Sequence, residues 1–195
     1  MFRLLLATRN VHKTQEFAEI LGPEFVVRDL STEAEAPAVE ETGLTFAENA
    51  ILKAVAISKW CGDLVVADDS GLEVDALKGE PGVYSARYAG PGATDQDNIA
   101  RLLAELRRST VKPPFTARFR CVLALARAGQ VLDTFDGAVE GTIVESPRGE
   151  GGFGYDPVFQ PAGLTQTFGE IAPDQKNSMS HRARAIRLLK TTLAH

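Results

Sequence analysis

Two pairs of adjacent acids are the residues here whose types and spacing could do chemistry. Asp68-Asp69 directly follows the apolar run Leu64 to Ala67 and is succeeded by Ser70-Gly71. Glu40-Glu41-Thr42-Gly43 comes just before a helical pattern that opens at Thr45. Adjacent carboxylates repel each other unless a cation offsets their charge. Mg²⁺ takes one or two carboxylates and completes its shell with water and phosphate oxygens. A glutamate of one pair and an aspartate of the other meet that need, and a further carboxylate there could deprotonate an attacking water. The plainer reading of Glu40 and Glu41 is that they complement the dipole of the following helix. Asp68-Asp69 is harder to dismiss.

Other segments carry polar groups suited to a phosphorylated ligand. Thr8-Arg9-Asn10-Val11-His12-Lys13 lies at a strand–helix junction, where free backbone N–H groups favour phosphate. Thr8 and Asn10 can donate hydrogen bonds and Lys13 adds a charge; alternatively Asn10 simply caps the helix and Lys13 is solvated. Lys53, eight residues after Thr45, either leans toward the acids or lies on the surface. Gly149-Glu150-Gly151-Gly152-Phe153-Gly154 matches GxGxxG, but Tyr155-Asp156-Pro157 and an apolar run follow rather than a helix. That excludes the dinucleotide reading. The better reading is a turn presenting Phe153 and Asp156, with the aromatic ring free to stack on a base. Lys176-Asn177-Ser178-Met179-Ser180-His181-Arg182 opens the last helix. Cations are unfavourable at a helix N-terminus, which hints that they serve a ligand.

The elements that must position these groups read as one α/β domain, residues 1–195. Phe2 to Ala7, Glu24 to Asp29, Leu64 to Ala67 and Leu72 to Leu77 read as strands. Helices are predicted over Lys13 to Leu21, from Thr45 to about Trp60, from Thr94 or Asp95 to about Arg108, and from about Ser180 to Leu193. Thr45 and Glu48 form a capping box, and Gly62 ends that helix. Phe115 to Arg127 and Val131 to Ile143 form a hairpin turned at Gly129-Gln130, so the sheet is mixed. The formal net charge of −5 argues against reliance on a nucleic acid polymer, but leaves room for a small phosphorylated substrate. Cys61 and Cys121 read as buried thiols of a reducing compartment. No signal or membrane segment is predicted, so the expected location is cytoplasmic.

Taken in order, the segments ATRNVHK, EETGLTFAENAILKA, ADDSGLEVDALKGEPGVYSARYAG, GGFGYDPVF and KNSMSHRARA closely resemble the inosine/xanthosine triphosphate pyrophosphatase family, in particular its bacterial branch. The resemblance spans roughly residues 3–190. It implies an elongated mixed sheet flanked by helices, in two lobes with a central cleft, and a homodimer. It also implies Mg²⁺-dependent hydrolysis of ITP, dITP or XTP to the monophosphate and pyrophosphate. Carried over by position, Thr8 to Lys13 and Ser70 hold the triphosphate. Asp69 is general base and metal ligand, Glu40 or Glu41 is the other metal ligand, and Asp68 is a supporting carboxylate. Phe153, Gly154, Tyr155 and Asp156 cradle base and sugar, while Lys176, His181 and Arg182 read the base edge. Donors there suit the C6 carbonyl of hypoxanthine and xanthine and mismatch the adenine amino group. Arg9 stands where the family usually has glycine, which bears on the shape of the phosphate loop. Two other readings stay open at this point: a related pyrophosphatase for modified nucleotides, and a sensor that binds without turnover.

Overall fold

The computed structural model describes residues 2–193. The extremes of the expected domain, residue 1 and residues 194–195, lie outside that range. Strand β1 (Phe2–Leu6) ends in three consecutive buried leucines, Leu4 to Leu6, the pattern of a strand covered on both faces. Helix α1 (Val11–Leu21) connects it to β2 (Phe25–Asp29), which runs parallel to β1. Residues 30–45 form neither helix nor strand. Helix α2 (Phe46–Cys61) then opens on the predicted capping box: Glu48 N–H donates to Thr45 Oγ1, and Thr45 N–H donates to Glu48 Oε2. Gly62, at φ 73°, closes it in the left-handed conformation that glycine adopts without strain.

Strand β3 departs from the sequence expectation. It runs without a break over Leu64–Val74, so Asp68 and Asp69 lie inside a strand and not on a loop beyond its end. The expected second strand, Leu72 to Leu77, is the continuation of this one, ending in a short 3₁₀ turn at Asp75–Leu77. Buried charges are rare unless paired, so an acid pair reads as a strand end in sequence. Here the partners come from distant segments, and pairing continues through the acids.

Helix α3 (Asp95–Arg108) is capped by Thr94 with Asp97. Strands β4 (Phe115–Arg127) and β5 (Gln130–Ile143) are joined by Ala128-Gly129, with φ of 50° and 80°. Two positive φ values in a two-residue link match the twist of a tight hairpin. Strand β6 (Phe159–Pro161) pairs antiparallel with β5. The last predicted helix is preceded by a separate one: α4 (Pro173–Met179) ends at Ser180, in extended conformation, before α5 (His181–Leu193). Lys176 therefore belongs to α4, and only His181 and Arg182 open the final helix.

The six strands form one sheet in the order β2-β1-β3-β4-β5-β6, with β1 parallel to both β2 and β3. The fold is a mixed α/β sheet with flanking helices, as expected. The chain divides into two compact units, each with its own core. Within the described residues, the first comprises residues 2–69, 121–137 and 182–193, and packs Leu6, Phe17, Leu21, Leu123 and Ile186 together. The second comprises Ser70–Arg120 and Ala138–His181, around Leu72, Leu102, Phe119, Val158 and Phe168. No helix among the described residues is long and apolar enough to cross a membrane.

Candidate active site

Successive side chains of a strand point to opposite faces, and this separates the two aspartates of β3. On one side Asp68, 2% exposed, accepts from Lys13 Nζ at Oδ1. Its Oδ2 accepts from Arg182 Nε at 3.0 Å and from the Cys121 thiol at 3.1 Å. Arg182 Nη1 in turn donates to Glu16 Oε2 at 2.5 Å. Burial works to raise the Asp68 carboxyl, but the charges of Arg182 and Lys13 outweigh it and hold the group well below the usual carboxylate range. Burial, joined by the Asp68 charge, pushes the Cys121 thiol well up, so it stays a protonated donor. Asp68 was expected as a supporting or secondary metal carboxylate; both its oxygens are engaged by cations and a thiol.

On the other side, Lys53 of α2 leans toward the acids. Its Nζ donates to Glu41 Oε1 at 2.7 Å, to the Asp68 carbonyl at 2.8 Å and to Asp69 Oδ1 at 3.2 Å. Asp69 Oδ2 is buried with no hydrogen-bond partner among the described residues. Burial raises the Asp69 carboxyl; Lys53 opposes the shift, and the Glu41 charge adds to it. For Lys53, burial disfavours the charge, but Asp69 and Glu41 prevail and hold its ammonium above the usual value. Of the two candidate glutamates, Glu41 shares a lysine with Asp69, whereas Glu40 is exposed.

These residues fit a hard divalent cation. Asp69 has a buried oxygen in need of a partner, and a second carboxylate whose charge disfavours its ionisation lies across Lys53. Among the described residues no three His, Cys, Asp or Glu side chains are assembled as a ready metal cage. Mg²⁺ suits such a site, since it keeps water and takes phosphate oxygens beside one or two carboxylates.

The segment from Thr8 to Lys13 runs from the end of β1 into the first turn of α1. Asn10 is the helix cap, its Oδ1 accepting from His12 N–H at 3.0 Å and Lys13 N–H at 3.3 Å. Those two amides are thereby occupied. An anion here would meet Thr8, the exposed Val11 turn and the side chains of His12 and Lys13. Thr8 Oγ1 accepts from Asn10 N–H, and Arg9 reaches Ala36 O at 3.2 Å, tying the junction to the 30–45 segment.

The second unit gathers another set. Asp156, 2% exposed, accepts at Oδ2 from Lys176 Nζ at 2.7 Å and from Phe153 N–H at 2.9 Å. The Lys176 ammonium lies 4.7 Å from the centroid of the Phe153 ring. Gly152 has φ 74°, and a Cβ there would come within 2.0 Å of Asp156 Oδ2, so this turn requires glycine. Gly154 N–H donates to Asp95 at the start of α3, and Tyr155 Oη donates to Ser85 O at 2.8 Å. His181 is buried and stacks on Phe119 with ring centroids 4.8 Å apart. Ser70 follows the acid pair in β3, half-buried.

The structure thus joins Lys13, Lys53, Glu41, Asp68 and Asp69 in the first unit, and Phe153, Asp156 and Lys176 in the second. Arg182, expected beside His181 and Lys176, is 1% exposed and is engaged by Asp68 and Glu16. Glu16, Cys121 and Asn49 were missed. Glu16 falls beside Phe17 on the buried face of α1, a polar residue at an apolar position. Asn49, fully buried one turn before Lys53, accepts from Gly43 N–H at 2.8 Å and so fixes the segment that carries Glu41. Cys121 sits in an apolar strand, where nothing in the pattern marks it.

Comparisons with known proteins bear on this arrangement. The model of the Ham1 family matches residues 4–192. A dITP/XTP pyrophosphatase of Bacillus licheniformis is 48% identical over 194 residues, covering 99% of this chain and 98% of the relative. That of Geobacillus kaustophilus is 50% identical over 187 residues, covering 95% and 91%. Among solved structures, a HAM1 protein from Coxiella burnetii superposes with a TM-score of 0.89 at 41% identity, over 100% of this chain and 99% of the other. The Staphylococcus aureus Ham1 protein gives 0.86 at 42% identity, over 98% of each.

Proposed function

The chain belongs to the Ham1 family, and from that premise we propose that it hydrolyses non-standard purine nucleoside triphosphates (dITP, ITP, XTP and dXTP) to the monophosphate and pyrophosphate. The observation that carries this reading is Asp69: a carboxylate raised by burial, with one oxygen held near Lys53 and the other unpartnered. A raised carboxyl is the stronger base, suited to taking a proton from water. The names of the relatives, dITP/XTP pyrophosphatase, support the substrate class.

In this reading the Asp69 carboxylate accepts a proton from the water that attacks the α-phosphorus, and pyrophosphate leaves as the bond between the α- and β-phosphates breaks. Glu41 and Asp69 would hold Mg²⁺, which when bound supplies charge neutralisation at the phosphate oxygens and acidifies water. Lys53 keeps the two carboxylates together before the metal arrives, and Asn49 fixes the Glu41 segment. Thr8 to Lys13, with Ser70, bind the triphosphate. Phe153 stacks on the base, Gly154 and Tyr155 shape the turn, and Asp156 orients Lys176. Lys176 and His181 offer donors to the C6 carbonyl of hypoxanthine or xanthine. An adenine amino group there would leave buried donors unpaired, and rejection built this way reaches roughly 10⁴. The enzyme would act in the cytoplasm as a homodimer, clearing deaminated nucleotides from the pool.

The experiment is a substrate panel of ITP, dITP, XTP and the four standard dNTPs with Mg²⁺, with products resolved. Pyrophosphate release from the deaminated purines, well above that from dATP, is expected. Orthophosphate as product, or equal turnover of dATP, overturns the proposal.

A further inference from the structure

The two aspartates of β3 have separate partners, and the set around Asp68 has an internal order. Glu16, Arg182, Asp68 and Lys13 form a chain of alternating charge, each touching the next. The side chains of Glu16, Arg182 and Asp68 are 11%, 2% and 0% exposed, while that of Lys13 is 17% exposed. The cationic end is therefore the more exposed of the two. Cys121 adds a third hydrogen bond to the Asp68 carboxylate, locking it from a fully buried position.

We propose that Asp68 is a positioning residue, which holds the Lys13 ammonium in place for a substrate phosphate and takes no part in binding metal. Lysine carries a long flexible stem, and fixing it on binding costs entropy. Here that cost is met in folding, because the ammonium already rests on a carboxylate that cannot move. An ammonium has three donors, and Asp68 Oδ1 takes one, leaving others for phosphate oxygens. The Asp68 charge does not cancel the grip, since Arg182 offsets it from behind, and Glu16, which pairs with Arg182, stands at the far end of the chain from Lys13. This inference rests on the phosphate role proposed for Lys13.

The test is calorimetric binding of inorganic tripolyphosphate, a ligand with no base, measured with chelator and no metal. Lys13→Ala and Asp68→Asn are each expected to weaken binding about tenfold, and the double variant to lose no more than Lys13→Ala alone. With nucleotide and Mg²⁺, Asp68→Asn should raise KM far more than it lowers kcat. Asp68→Glu keeps the charge beside Arg182 and guards against a folding defect in Asp68→Asn; it should bind with intermediate strength, and thermal melting reports the fold of each variant. Multiplying losses in the double variant overturn the proposal, as does wild-type binding by both Asp68 variants. A defect of Asp68→Asn that appears only with metal present also overturns it. If Lys13→Ala itself binds tripolyphosphate normally, the phosphate role of Lys13 fails together with this inference, while the substrate panel still decides the reaction separately.

Discussion

At the scale of single residues, the site turns on two neighbouring carboxyls driven in opposite directions. Asp68 is surrounded by cations and stays ionised; Asp69 is desolvated, faces Glu41 and is raised. Replacing Asp69 by Asn removes the proposed proton acceptor with little change in shape. Turnover of dITP should fall by roughly 10²–10⁴, the usual worth of a placed base, with the melting temperature held or increased because a buried raised carboxyl is gone. Near-wild-type turnover would remove Asp69 from the role of base. Lys53 lowers the Asp69 carboxyl against the effect of burial. In Lys53→Met that opposition is lost and Asp69 titrates higher, so the acid limb of kcat/KM should move to higher pH. A pH profile of the variant beside the wild type measures the sign directly.

Elements set where these residues can reach. Helix α2 carries both Asn49 and Lys53, one turn apart, and its capping box fixes the point from which they project. Thr45→Ala should cost about 1 kcal/mol. In a chain of this length that lowers the melting temperature by about 2–4 °C. The turn at Gly152 is a sharper case. A side chain there must adopt φ 74° and would meet Asp156 at 2.0 Å. Gly152→Ala should therefore displace Asp156 from Phe153 N–H and Lys176, raising KM for dITP while tripolyphosphate binding stays unchanged. Equal loss for both ligands would place the defect in general folding. Much of this scale was legible beforehand. The capping box, the stop at Gly62 and the β4–β5 hairpin each follow from a few adjacent residues. The break at Ser180 and the unbroken run of β3 were not legible, because both depend on what packs against them.

For the molecule as a whole, the buried ion chain makes stability depend on pH. The Asp68 carboxyl is depressed in the folded state, so its contribution is complete above the ordinary aspartate value, near about 3.9. It is lost as pH falls through the lower folded value, when the carboxyl is protonated and Arg182 and Lys13 lose their partner. Urea unfolding of the wild type from pH 6 down to about pH 2 should show this loss, and Asp68→Asn should show a flatter dependence from a lower starting point. A homodimer, if formed as proposed, gives twice the chain mass in light scattering across micromolar dilutions.

By itself the sequence determined most of the element types, the mixed sheet, the caps of α2 and α3, and the family. These depend on local pattern and on motif order, which a chain carries whatever its partners. Only the tertiary structure decided how the acids divide. Asp68 and Asp69 are neighbours in sequence, yet strand alternation sends them to opposite sides, where Lys13, Arg182 and Cys121 meet one and Lys53 and Glu41 the other. It also set Glu41 across Lys53 from Asp69, and put Arg182 in a buried ion chain with Asp68 and Glu16. A carboxylate's chemistry depends on which charges surround it and how far it is from water, and both are set by residues distant in sequence.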